Sequence, residues 1–96
     1  MVQFDKRGLA EVCQRNDVKR VRVFGSASRG EERSDSDIDL LVDFRSPKGF
    51  FEVFRLEDEL EALFGRPVDV VTEPGLSPFL REAILESAAV IFEDAA

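Results

Sequence analysis

Two aspartates separated by one apolar residue, Asp37-Ile38-Asp39, follow a Gly25-Ser26 pair after ten intervening residues. A third aspartate, Asp69, stands between Val68 and Val70. Successive side chains on a strand point to opposite faces, so Asp37 and Asp39 project together while Ile38 packs behind them. Their backbones lie about 6.5 Å apart, a span that two carboxylates bridge toward shared cations. Among apolar neighbours (Leu40, Leu41, Val42) unpaired carboxylates are costly, and a metal is the natural counter-charge. Asp69 repeats the pattern on another apolar run. If that run lies beside the first, three oxygen-donor carboxylates form a cluster suited to two Mg2+ ions and in-line attack on phosphorus.

Gly25 and Ser26 offer the complementary half. A glycine ending a strand lets backbone N–H groups approach an anion closely, and a serine hydroxyl adds a donor. Arg29 and Arg33 follow in the same segment, with guanidinium groups matched to phosphate oxygens. Each part also has an ordinary reading: a Gly-Ser turn, Asp35, Ser36 and Asp37 as turn or cap residues, and Asp69 as a solvated strand residue. Their conjunction favours chemistry. Competing motifs fail on particular residues. In an EF-hand alignment of Asp35, Asp37 and Asp39, Leu40 stands where glycine is required and Ser46 where glutamate is required. The run GSASRG is neither GxGxxG nor a Walker A loop.

Composition narrows the alternatives. The 96 residues contain no histidine and one cysteine, Cys13, which removes Ser-His-Asp and Cys-His catalysis and the common zinc sites. A length of 96 residues fits a single domain, 1–96. Hydrophobic content of 44% with 34% charged residues suits a soluble globular chain. No apolar run is long enough to span a bilayer and no signal-peptide core is visible, so the expectation is a cytoplasmic protein without membrane association. A net charge of −7 opposes direct nucleic-acid binding, which needs clustered Lys and Arg; it fits either a charge that keeps a small protein soluble or a basic protein partner.

The elements that must position these residues are short. Phe4 to Arg15 carries Leu9, Val12 and Cys13 at helical spacing. Val18 to Phe24 alternates valine with Arg20 and Arg22 and predicts a strand ending at Gly25. Gly25 to Asp37 reads as a polar loop with room for one helical turn. Ile38 to Phe44 predicts a second strand beside the first, and Ser46 to Gly49 a turn. A helix over Phe50 to Phe64 presents Phe50, Val53, Phe54, Leu56, Leu60, Leu63 and Phe64 as its apolar stripe, and Gly65 closes it. Its exposed part, with Phe50, Phe51 and Phe54, is a candidate partner surface. Pro67 leads into a third strand, Val68 to Val71. A loop to Pro78, a helix over Phe79 to Ser87 and a terminal strand Val90 to Phe92 complete the chain. The fold class expected is α/β (α+β), a small mixed sheet flanked by helices.

At these residues the sequence resembles a known family. Gly25-Ser26, ten residues, then Asp37-Ile38-Asp39 is similar to the signature of the DNA polymerase beta nucleotidyltransferase superfamily. The runs Val23 to Gly30, Ser34 to Phe44 and Gly65 to Thr72 resemble the minimal nucleotidyltransferase (MNT) antitoxins more closely still. The resemblance implies the nucleotidyltransferase fold and paired metal ligands at Asp37 and Asp39. It implies a third carboxylate at Asp69, which binds one metal and helps deprotonate the attacking hydroxyl, and nucleotide-phosphate contacts at Gly25 and Ser26. Many members carry arginine directly after the Gly-Ser pair. Here that residue is Ala27, and Arg29 or Arg33 is the candidate to replace it.

The resemblance also implies a reaction and a partner. Two Mg2+ ions would serve transfer of AMP from ATP to a tyrosine of a paired HEPN-domain ribonuclease toxin. Two other functions fit the same residues: neutralisation of the partner by binding and occlusion alone, or nucleotide transfer to a small molecule.

Overall fold

The computed structural model describes residues 4–25 and 37–94. Within them the elements run α1 (Lys6–Arg15), β1 (Val18–Phe24), β2 (Ile38–Phe44), α2 (Phe50–Phe64), β3 (Val68–Val71), a 3-10 turn (Glu73–Gly75), α3 (Arg81–Ser87) and β4 (Ala89–Glu93). The strands form one mixed sheet in the order β3-β2-β1-β4. β1 pairs antiparallel with both β2 and β4, whereas β2 and β3 run parallel, joined by the α2 crossover. This is the α+β fold with a small mixed sheet that the alternation of elements predicts.

Local chemistry sets the element boundaries. The Asp5 carboxylate accepts the Arg7 N–H at 3.1 Å and caps α1, so the helix begins at Lys6 rather than Phe4. Phe4 instead packs edge-on against Phe64, with ring centroids 5.6 Å apart. Gly65 adopts φ 70° and its N–H donates to the Glu61 carbonyl, which ends α2 where the sequence places a C-cap glycine. The last helix starts two residues later than Phe79. Ser77 to Leu80 form a turn in which the Ser77 carbonyl accepts the N–H groups of Leu80 and Arg81.

Leu9, Val12 and Cys13 of α1 and Leu56 and Leu60 of α2 pack on one sheet face, against Val21, Val23, Ile38, Leu40, Val42 and Val68. A register irregularity between Val18 and Arg20 brings Val18 to the same core. The expected α2 stripe is narrower than its sequence pattern. Leu56 and Leu60 are fully buried, but Phe50 is 81% exposed, Phe51 86% and Phe54 55%. The first turn of α2 borders an open groove instead of the core, and Phe50 stacks on Phe54 there. Among the described residues, no helix is long and apolar enough to cross a membrane.

Candidate active site

Core packing of Ile38, Leu40 and Val42 turns Asp39, Leu41 and Asp43 to the other sheet face. The parallel register places Asp39 directly beside Asp69, and the antiparallel register places Asp39 beside Phe24. Asp39 is therefore flanked by the third aspartate on one side and by the end of β1 on the other. Asp37 is exposed and lies one residue before β2, at the same end of the strand.

The chain turns at Gly25 immediately beside this row. Gly25 has φ +74°, and a Cβ there would lie 2.7 Å from Asp39 Oδ2. A side chain would meet both a left-handed backbone and a carboxylate oxygen, so the sequence uses glycine at this point. Gly25 is thereby brought against Asp39. Ser26, Arg29 and Arg33 lie outside the described residues.

The charges of the other two aspartates are felt at Asp39. The Asp39 pKa is raised above the ordinary aspartate value, first by burial and then by the charges of Asp69 and Asp37. Among the described residues, no three acidic side chains close onto one ion-sized point. The cluster is a shared field along two strand ends. Its donors are all carboxylate oxygens, the set that hard divalent cations prefer, and a cation between them would relieve the repulsion on Asp39.

Asp69 sits on a four-residue edge strand bonded to β2 on one side only. On the other side α2 supplies acceptors. The Val68 N–H donates to Glu61 Oε2 at 3.0 Å and the Val70 N–H to Glu57 Oε2 at 3.2 Å. The two glutamates are one helical turn apart and bracket Asp69.

A second feature escapes sequence alternation. Arg22 shares the polar face but is only 9% exposed. Its guanidinium donates to Asp43 Oδ2 at 3.1 Å and lies 3.8 Å from Glu73, while Arg20 donates to the same Asp43 oxygen at 2.8 Å. Arg22 Nε has no hydrogen-bond partner among the described residues. Alternating Arg20 and Arg22 read as solvent-facing; only the register, which sets Asp43 opposite Arg20, identifies their shared partner.

A groove of about 650 Å³ lies at the other end of β2 and β3. Phe44, Pro47, Phe50, Val53, Val70 and Pro74 supply its apolar walls, and none of the three aspartates lines it.

Comparison with known proteins accords with this geometry. Over 81 residues the chain is 37% identical to the protein adenylyltransferase MntA of Thermococcus cleftensis, covering 84% of this chain and 82% of that one. A solved chain described as a "putative minimal nucleotidyltransferase" is 47% identical, with a TM-score of 0.74, and the match covers 86% of this chain and 85% of that chain. A toxin-antitoxin crystal structure with AMP-PNP shares the fold at a TM-score of 0.76 and 19% identity, over 95% of this chain and 75% of that chain. The nucleotidyltransferase domain model matches residues 6–91, and the chain belongs to that family.

Proposed function

We propose that this chain is an antitoxin that transfers AMP from ATP to a tyrosine of a HEPN-type ribonuclease toxin. The observation that supports the reaction is the row Gly25-Asp39-Asp69, in which Gly25 abuts Asp39 and Asp39 stands beside Asp69 on the adjacent strand. The resemblance to an adenylyltransferase named MntA and to toxin-antitoxin structures supports the acceptor class.

Asp37, Asp39 and Asp69 would hold two Mg2+ ions, which when bound neutralise the triphosphate and acidify the acceptor hydroxyl. The chain's own residues do the positioning. The Gly25 backbone, bare of a side chain, lets the nucleotide phosphates approach Asp39. Asp39, its pKa raised by burial and its neighbours, is held near the start of β2 between β1 and β3. Asp69, exposed at the sheet edge, is accessible to an incoming hydroxyl and takes its proton as the oxygen attacks the α-phosphorus and pyrophosphate leaves. Orientation and charge neutralisation supply most of the acceleration in such transfers. Arg29 or Arg33 takes the role of the arginine that Ala27 replaces.

The exposed face of Phe50, Phe51 and Phe54 favours a second reading, neutralisation by occupation of the toxin without chemistry. One experiment separates them. The purified chain is incubated with α-labelled ATP, Mg2+ and its cognate toxin. Label on the toxin that is lost with Asp39→Asn supports transfer; an unlabelled toxin that is nonetheless inhibited supports occlusion.

A further inference from the structure

β3 is short, lies at the edge of the sheet and carries the aspartate on which the proposed metal site depends. A four-residue strand paired on one side only is the part of a sheet most prone to local opening. Two hydrogen bonds from outside the sheet counter this, and their placement is specific. Glu61 Oε2 takes the Val68 N–H and Glu57 Oε2 takes the Val70 N–H, the two outward amides on either side of Asp69. On the inner side the Ile38 N–H donates to the Pro67 carbonyl at 3.0 Å and starts the parallel register that sets Asp39 beside Asp69.

The i, i+4 spacing of Glu57 and Glu61 aligns them on one helix face, and alternate outward amides are the two-residue repeat of a strand. Helical and strand periodicities thus meet at two points. Charge assistance makes such carboxylate–amide bonds stronger than neutral ones. A buried apolar contact would hold the strand down on the core without fixing its slide along β2; two directional bonds fix both.

We infer that Glu57 and Glu61 are positioning residues for Asp69: α2 grips the outer edge of β3 so that the third carboxylate stays in register with Asp39. The inference rests on the reading of Asp69 as a metal ligand, and its role is distinct from any contact with nucleotide. Neither glutamate touches the reacting atoms.

The test uses the full chain and four variants: Glu57→Ala, the double variant Glu57→Ala with Glu61→Ala, the double variant Glu57→Gln with Glu61→Gln, and Asp69→Asn. Gln retains an oxygen acceptor of similar reach, whereas Ala removes it. Hydrogen exchange is followed at the 68–71 amides, and Mn2+ binding is measured by titration calorimetry with a non-hydrolysable ATP analogue present. The expected result is that the Ala double variant loses protection at 68–71 and binds Mn2+ about tenfold more weakly, as Asp69→Asn does, a shift of about 1.4 kcal/mol. The Gln double variant restores both. Unchanged exchange in the Ala double variant overturns the inference. Lost protection with unchanged Mn2+ affinity also overturns it, because the glutamates are then merely structural. If Asp69→Asn binds Mn2+ as well as the natural chain, the metal reading itself fails and the inference fails with it. Should the double variant unfold, Glu57→Ala alone gives the same comparison at Val70.

Discussion

Replacing Gly25 by alanine places a methyl group 2.7 Å from Asp39 Oδ2 on a backbone at φ +74°. Two separable effects follow. The left-handed backbone disfavours any Cβ by about 1–2 kcal/mol. The contact is a different matter: the oxygen is the end of a short side chain and can rotate aside at modest cost, but Asp39 then leaves the position that the site requires. Gly65 provides the matched control, since it has φ +70° with nothing within 4 Å of its Cβ position. Gly65→Ala and Gly25→Ala are therefore expected to lose similar stability, with melting temperatures lower by about 4–8 °C per kcal/mol for a domain of this size. Their activities diverge. A displacement of about 1 Å in a positioned group costs about 100-fold in rate, so Gly25→Ala loses nucleotidyl transfer by that factor while Gly65→Ala retains it. Calorimetric melting and a labelled-ATP transfer assay on the two proteins decide the matter. Equal transfer rates would show that the approach of Gly25 to Asp39 is irrelevant to the chemistry.

Three further outcomes are expected. The raised Asp39 pKa means that the folded state binds this proton more tightly than the unfolded chain does, so ionisation of Asp39 costs stability as pH rises through its folded value. Asp39→Asn, measured without divalent cations, is accordingly more stable than the natural chain near neutral pH and loses that advantage below the ordinary aspartate range; urea titrations at both pH values test the sign. Asp43→Ala leaves the buried Arg22 guanidinium, among the described residues, with only the longer contact to Glu73, a loss of about 3–5 kcal/mol by analogy with broken buried pairs, whereas Arg22→Met removes the charge and costs less. The Cys13 thiol is fully buried and its pKa is pushed up to about 12, so a thiol reagent at pH 8 modifies it only as fast as the protein opens, and its labelling rate rises steeply with added urea.

Much of the architecture is legible in the sequence because its punctuation is strong. The bounds of β1, β2, α2 and β3 coincide with Val18 to Phe24, Ile38 to Phe44, Phe50 to Phe64 and Val68 to Val71, where Gly25, Gly65 and Pro67 mark ends that hydrophobic period alone leaves loose. The adjacency of Asp39 and Asp69 is only conditional in the sequence, because alternation gives each side chain a face but not a neighbour; the parallel register supplies it. Polar residues with tertiary partners are least legible. Arg22 alternates with valines and reads as solvated, yet it is buried against Asp43. Glu57 and Glu61 read as the wet side of an amphipathic helix, yet their oxygens complete a strand. Phe50 and Phe54 fit the apolar stripe by helical spacing and also the exposed part of the helix; only the exposure shows that the layer beneath α2 stops short of them.

The occupied outer amides of β3 also bear on how the protein avoids unwanted association. An open strand edge is a template on which other chains can align and grow into fibrous aggregates, and proteins commonly block it with charge. Here the blocking charges belong to another element of the same fold, so a foreign strand approaching beside Val68 and Val70 must first displace two carboxylates. Intermolecular sheet growth at this end is penalised for as long as α2 stays folded.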